Sequence, residues 1–510
     1  MAATFGIDFG TTNSLIAVVR SDPETGRQRP FIFLENGRPH PSVVWYHGGT
    51  PVAGRRAMDQ LSELGLGVFG DIVRSPKMYL GSPAGIPVGG VTRHATDVVA
   101  DLLRHLRANA LDRQYGDNSF ERAVVTIPVT MRGQAREDLR QAALKAGIRV
   151  HQFVHEPLAA LYGHLRSTPD FRQELAGLEG RLVLVFDWGG GTLDLTLCQV
   201  REGLMSQVLN AGDRDIGGDF FDLQLRQLVR QRHEDQYPNA DLSRLQPHAD
   251  ARLIQACEDA KIRLSARETA NVYVPDLLAS PGGEKDLQVR IERGEFEESV
   301  RDLVRKGLSK IESLLEAAGL HRGAVEFCLA TGGMVSMPAI REGLREIFGL
   351  NRLRLVENAA TVIAEGAAWI AHDNVGLQLA KPIELLHADN SYIKVFPSGT
   401  RLPNDGDSIS QSIDMYCVDP SDGLAKFYFA RPTWPGNESI GDERTPLEFL
   451  TIRVDRGSQP FLERLQVEVI IDHNLIANVH ARSLMKGDSQ RCTIHDLEFG
   501  LNLDGAVNGK

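Results

Sequence analysis

Two short segments combine the residue types that phosphate chemistry uses. Gly6-Ile7-Asp8-Phe9-Gly10-Thr11-Thr12-Asn13-Ser14 and Val185-Phe186-Asp187-Trp188-Gly189-Gly190-Gly191-Thr192-Leu193-Asp194 each run from an apolar strand through an aspartate into glycines and threonine. Glycine followed by a small hydroxyl residue lets the backbone turn tightly and aim N–H groups at an anion. An aspartate just before such a turn repels a phosphate but suits magnesium, which retains much of its hydration shell. Asp8 and Asp187 are therefore read as outer-shell magnesium ligands. Facing each other, the two hairpins would clamp a nucleotide's phosphates from both sides, which points to ATP or a relative. The alternative for each aspartate is a simple turn-forming role, which two equivalent turns make a poor explanation.

Other residues could complete that chemistry. No GxxxxGK[ST] is present, so the cation that a P-loop lysine supplies must come from elsewhere. Glu258, Lys261 and Ser265 stand at i, i+3 and i+7, one face of a helix, from which they could reach an adenosine together. The bland alternative is a solvated ion pair. Thr331-Gly332-Gly333 follows the strand text Glu326–Ala330 and reads as another tight turn, where Gly332 and Gly333 would let backbone approach a nucleoside. His151 and His155 sit on a strand or loop with no third ligand nearby, so a zinc site there is not expected.

The elements that must hold these residues alternate between strand and helix. The hairpin aspartates lie 187 − 8 = 179 residues apart, which suggests two related lobes. Arg122–Pro128 reads as a buried strand, Gly133–Ala146 as a helix, Phe296–Ala318 as one long amphipathic helix and Ala359–Ala371 as a final helix. After about His372 the character changes. Short strand-like runs such as Tyr392–Phe396, Lys426–Phe429, Leu450–Val454, Leu465–Ile471 and Ala477–Ala481 alternate with turn residues, as in a β-sandwich. The expected plan is an α/β domain over 1–375, a linker over 376–381, a β module over 382–500 and a disordered tail over 501–510.

Bulk properties narrow the function. At 510 residues with 42% hydrophobic and 24% charged residues, the chain reads as several globular domains. A net charge of −11 leaves no footprint for nucleic acid or an anionic membrane. The five cysteines show no paired spacing and read as core thiols in a reducing compartment. The first strand begins too early to leave room for a signal peptide, and no apolar run could cross a bilayer, so a cytoplasmic protein is expected.

In this order the motifs resemble the Hsp70 chaperone family. The two hairpins are similar to its phosphate motifs, Gly212–Asp222 with Gly217 and Gly218 to the segment after them, and Ala256–Ser265 to its adenosine helix. The resemblance implies a two-lobed actin-like ATPase fold of the Hsp70 and sugar-kinase type. A peptide-binding β-sandwich would follow it. It also implies ATP/ADP and Mg2+ as ligands, and hydrolysis controlling the binding of extended or unfolded polypeptide. By position, Lys77 would take the γ-phosphate and Glu156 the attacking water. Gly10, Thr11, Thr12, Asn13, Gly189, Gly190 and Gly191 would cradle the phosphates, with Thr192 on the γ-phosphate. Pro128 and Arg136 resemble the family's proline switch and its partner.

Departures from the pattern are also legible. Ser336 replaces the family's adenine-stacking arginine, Gln152 and Leu158 replace an arginine and a threonine, and Leu377-Gln378-Leu379-Ala380 thins the linker. The first weakens the preference for adenine, and the others weaken the expectation of a J-domain cochaperone or nucleotide exchange factor. No long amphipathic helix follows the strand text, so a lidless site that releases peptide quickly is expected. The competing expectation is a nucleotide-gated protein with one dedicated partner; an actin-like sugar kinase would leave the β module unexplained.

Overall fold

The two hairpins fold into equivalent strand pairs at the centres of two equivalent sheets. The structure, a computed structural model, describes residues 4–503 except 49, 62–66, 113–118, 239–241, 243–244, 247–248, 279–284, 405 and 440. In the first lobe Phe5–Phe9 lies antiparallel to Asn13–Ser21 and parallel to Arg122–Ile127, which is parallel to Arg149–His155; Gln28–Phe33 extends the other side. In the second lobe Leu182–Trp188 lies antiparallel to Leu193–Arg201 and parallel to Val325–Thr331, which is parallel to Leu353–Leu355; Leu204–Asp213 extends the other side. Both central strands are covered on both faces by the fold. Phe5, Ile7 and Phe9 are fully buried in one, Leu184, Phe186 and Trp188 in the other. The repeat expected from the spacing of Asp8 and Asp187 is thus present in strand order and direction.

One helix expectation fails in detail. Residues read as a single helix form two, Arg293–Ser299 and Arg301–Ala317, meeting at Val300 with φ −112° and ψ 8°. Phe296, Val300, Val304 and Ile311 nevertheless all stay buried. A break of one residue hardly changes the helical phase, so the apolar stripe conceals it.

The segment read as a linker is itself a strand. Leu377–Leu379 pairs antiparallel with Phe499–Asn502, and Phe499–Asn502 pairs antiparallel with Leu204–Ser206 at the edge of the second lobe's sheet. Leu501 and Asn502, read as the start of a disordered tail, are therefore sheet residues, and Leu501 is fully buried. The strand was missed because four residues with a central glycine carry almost no propensity; the open sheet edge supplies the driving force. The rest of that tail, 504–510, lies outside the described residues.

Between linker and return strand lie two four-stranded sheets. One contains Ile383–Leu386, Tyr392–Phe396, Leu424–Pro432 and Arg444–Arg453; the other contains Ser408–Tyr416, Arg464–Asp472, Ala477–Ser483 and Ser489–Ile494. Inward side chains of both, among them Phe427, Ile452, Val467 and Val479, join the same buried cluster as the first lobe's core. Polar anchors fasten this module to the first lobe. Buried Arg136 donates to the carbonyls of Asn474, Leu475 and His495 at 2.8, 2.9 and 3.0 Å, and Arg140 Nε reaches Asn474 Oδ1 at 2.7 Å. Gln152 donates to the Val375 carbonyl at 2.8 Å, just before the linker strand.

His155 joins the return strand to the lobe. Its ring stacks on Phe499 with centroids 4.1 Å apart and its Nδ1 lies 2.9 Å from Gln207 Oε1. Burial pulls its pKa from 6.5 down to about 3, against the Gln207 hydrogen bond that opposes the shift. The unfolded histidine takes up its proton near pH 6.5 while the folded one stays neutral. Its contribution is therefore complete above pH 6.5 and is lost as pH falls toward about 3. Denaturant unfolding at pH 7, 6 and 5 should lose stability through this residue by up to about 1.4 kcal/mol per pH unit. His155→Gln, neutral throughout, should flatten that dependence.

Candidate functional site

Both hairpin turns open into one cavity of about 1260 Å3 between the lobes. Lys77, Glu156, the Glu258–Lys261–Ser265 set and Gly332–Gly333 also line it. The first lobe contributes Lys77 from the 3-10 helix Pro76–Tyr79, whose entry at Ser75 is left-handed with φ 60°. Glu156 is the first residue of the helix Glu156–Ser167, with Pro157 next, so it is both a helix start and a cavity residue. Lys77 Nζ meets Glu156 Oε1 at 2.7 Å and the Phe9 carbonyl at 2.6 Å, with the lysine 8% exposed.

Asp8 accepts from Thr126 Oγ1 at 2.8 Å, and Asp187 stands directly opposite Asp194 in the second hairpin. Burial raises Asp8 to about 6, helped by the charge of Glu156 and opposed by Lys77 and Thr126. Burial raises Asp187 to about 8, helped by Asp194, Glu156 and Asp8. Asp194 is raised too, first by burial. Four carboxylates thus converge where Lys77 is the cation paired with them among the described residues. An oxygen-ligand site with this surplus of negative charge fits a hard divalent cation such as magnesium.

Local geometry explains the glycines that matter. Gly332 has φ 86°, and a Cβ there would lie 2.3 Å from the Trp188 carbonyl oxygen and 2.5 Å from Asp187 Oδ1. The turn after Val325–Thr331 can pass the second hairpin because no side chain is present.

Several of the expected site residues already have protein partners. Thr192 donates its hydroxyl hydrogen to Asp194 Oδ2 at 2.7 Å, which directs the proton away from an incoming phosphate. Lys261 Nζ is held by Asp222 Oδ2 at 2.6 Å and the Gly218 carbonyl at 3.1 Å. Burial raises Asp222 to about 7 despite that ammonium, which shows how dry the pair is. Ser265 lies one residue past the helix Ala249–Leu264 and donates back to the Lys261 carbonyl at 3.2 Å. Gly217 and Gly218 do not line the cavity; they back the second hairpin, where Gly218 N–H donates to the Gly189 carbonyl at 3.1 Å. Arg136, expected beside Pro128 as a switch partner, is committed to the β-module carbonyls and to Met131 O at 2.6 Å.

Asp194, Thr126 and Asp222 were not singled out from the sequence. Asp194 carried a signal, since seven residues around a tight hairpin return a strand to its partner's register. Thr126 and Asp222 carried none, because their roles depend on which strand and which helix lie alongside. Where the family pattern's arginine is replaced by Ser336, the cavity is lined instead by Ile262, Met334 and Met337. The lobes are also tied across the cleft: Arg74 Nη2 reaches both Asp219 carboxylate oxygens at 2.9 Å, and Arg38 meets Asp259 at 2.8 Å.

His151 and His155 have partners of their own in Arg122 and Gln207. All five cysteines are free, four of them buried. Among the described residues no helix is long and apolar enough to cross a membrane.

A sheet topology repeated in two lobes, a carboxylate cluster at the base of a cleft, and hairpin turns facing each other across it are consistent with an actin-like ATPase fold. The sequence profile of the family described as Hsp70 protein matches residues 83–395, more than half of the chain. Members of that family are ATPases that bind ATP and ADP with magnesium. The matched span begins at residue 83, past the first hairpin and Lys77, and runs through the second hairpin, the helix Ala249–Leu264 and the linker strand into the β module; the chain belongs to the Hsp70 family.

Proposed function

We propose that this chain is an Hsp70-type ATPase in which hydrolysis in the cleft governs polypeptide binding by the C-terminal β module, read as a β-sandwich. The observation that carries the reading is the Lys77–Glu156 pair, 2.7 Å apart, beside Asp8 and Asp187 at the base of the cavity. Asp8 and Asp187 would hold Mg2+, with Asp194 and Thr126 positioning them. The bound ion would neutralise phosphate charge and order water around it. Thr11, Thr12, Asn13 and Gly189–Gly191 would supply backbone N–H groups to the phosphates. Lys77 would neutralise charge on the transferred group. Glu156, fixed by Lys77, would orient the attacking water and accept its proton. Glu258 and Ser265 would contact the ribose and base edge, and Lys261 would hold its helix through Asp222. Ile262, Met334 and Met337 would sandwich the adenine with apolar and thioether contacts in place of an arginine stack.

Nucleotide state would reach the β module through the helix carrying Arg136 and Arg140 and through Gln152 at the base of the linker strand. Those residues hydrogen-bond module and linker carbonyls, so a rotation of the first lobe would be felt directly. With Gln152 and Leu158 in place of the family's charged and hydroxyl groups, the reading includes little dependence on a J-domain partner. The free thiols fit a reducing compartment, and we read the protein as cytoplasmic.

A second reading, gating of one dedicated partner, is favoured by a specific observation. The module is tied to the lobes by Arg136, Arg140 and a return strand as well as by its linker, which restrains the free release a general chaperone uses. Broad capture of extended apolar segments on a peptide array is expected for the chaperone; silence on the array with retained ATPase activity would select the dedicated-partner reading.

Lys77→Ala should lower turnover by at least about 100-fold while leaving ATP affinity within a few-fold, measured by phosphate release and by calorimetry. Full turnover in that variant would sink the assignment. Asp187→Asn removes one of four crowded carboxylates. It should raise the stability of the nucleotide-free protein by on the order of 1 kcal/mol and abolish the further gain that magnesium with ATP gives wild type. Thermal melts with and without ligand check both halves.

A further inference from the structure

One side-chain cluster in the first lobe has no part in the cleft chemistry. Glu35 follows the strand Gln28–Phe33, His40 opens the two-residue strand His40–Pro41, and His105 lies on the helix Ala95–Asp112. One potential ligand atom from each lies within 4.8 Å of the other two. His105 Nε2 is 3.4 Å from Glu35 Oε1, and the two imidazoles meet edge to face with centroids 5.7 Å apart.

Two further observations distinguish this from a satisfied core histidine. His40 is fully buried and has contacts to the Asn109 side chain and the Ser14 backbone, yet neither ring nitrogen has a hydrogen-bond partner in good geometry. Asn109 Oδ1, one helical turn beyond His105 on the same face, also lacks one. Buried imidazoles are ordinarily well hydrogen-bonded, so a ring with only poorly aligned contacts, facing a carboxylate, can exchange one of them for a ligand. The backbone has been cleared for it as well. Gly54 has φ 75°, and a Cβ there would lie 2.4 Å from His105 Nε2 and 2.5 Å from Glu35 Oε2. The Arg55 N–H donates to Glu35 Oε2 at 2.9 Å, which orients the carboxylate and leaves Oε1 toward His105.

We propose that Glu35, His40 and His105 form a binding site for a divalent transition-metal ion of the zinc type. Two imidazoles and one carboxylate, with a fourth position open to water or Asn109, are a donor set zinc accepts and magnesium does not favour. Bonds of about 2.0–2.1 Å in tetrahedral geometry separate ligand atoms by roughly 3.3 Å. The His105–Glu35 pair already has that spacing, and His40 needs a shift on the order of 1 Å. Glu35 supplies one negative charge, so the filled site carries a net single positive charge.

The place of the site suggests its consequence. His40 is paired across strands with Ser14, which directly follows the first phosphate turn. Ser14 Oγ lies 3.0 Å from Ser42 Oγ, and Ser42 Oγ reaches the Gly10 carbonyl at 2.9 Å. A metal here would staple the Glu35 turn, the Gly54–Arg55 turn and the His105 helix behind that loop, stiffening its back without touching the nucleotide.

The test uses the full chain stripped with chelator and then titrated with zinc in excess magnesium. Wild type and Asp8→Asn should each take up one zinc equivalent with raised melting temperature; His105→Ala should bind that equivalent more than about tenfold more weakly. If His105→Ala melts when metal-free, His105→Gln, of similar volume without the imidazole, is read in its place. Cobalt(II) bound to wild type should show the intense visible bands of a four- or five-coordinate nitrogen-ligated ion. No zinc uptake by wild type, undiminished uptake by the His105 variants, loss of the equivalent in Asp8→Asn, or a hexaaqua-like cobalt spectrum would each overturn the site.

Discussion

Asp8, Glu156, Asp187 and Asp194 are gathered at the base of one cleft, where desolvation and the neighbouring carboxylates oppose the ionisation of Asp8, Asp187 and Asp194. Such a cluster is costly unless cations meet it, and Lys77 meets it in part at 2.7 Å from Glu156. Much of the molecule can be understood as the means of holding these charges together. Two equivalent sheets deliver Asp8 and Asp187 at the ends of their buried central strands. Helix Glu156–Ser167 presents its first residue, and the Pro76–Tyr79 turn inserts the lysine. Crossed ion pairs, Arg74 with Asp219 and Arg38 with Asp259, keep the lobes in register.

The same economy extends to the C-terminal module. Its inward residues merge with the first lobe's core, and buried Arg136 spends its donors on backbone carbonyls of the module's turns. Burial lowers the Arg136 pKa to about 10, still far above neutrality, so it remains a cation with carbonyl dipoles as its solvation. Where the family pattern places charged groups at the linker, Gln152 makes a neutral hydrogen bond to Val375 O. The contacts between the parts thus differ from those the family's motif would have suggested.

Reading the chain from its residues located the cleft well and its wiring poorly. Asp8, Asp187 and both glycine turns line one cavity, together with Lys77 and Glu156, which only the family resemblance had singled out. Thr192, Lys261 and Gly218 are near the site but engaged differently, because each bonds a partner brought in by another element. The polar strand Ser408–Tyr416 and the short return strand Phe499–Asn502 escaped notice for a related reason. The first has serines, Asp414 and Tyr416 on one face and only Ile409, Ile413 and Met415 as apolar residues on the other, and the second is too short to show a period. The two-helix break at Val300 was invisible since its apolar stripe continues through it.

What the sequence by itself determined is what local spacing encodes. Aspartate–glycine–threonine hairpins, the apolar central strands, the helix carrying Glu258 and Lys261, and the change to a β-rich module are all properties of contiguous residues and their periodicity. What only the tertiary structure decided is everything set by approach across the chain. That includes the opposition of the two hairpins, the raised pKa values of Asp8 and Asp187, the Lys261–Asp222 pair, the Arg136 anchor and the insertion of residues 499–502 at a sheet edge. Desolvation and hydrogen bonding act over a few ångströms, and residues separated by hundreds of positions acquire such neighbours only once the chain has folded.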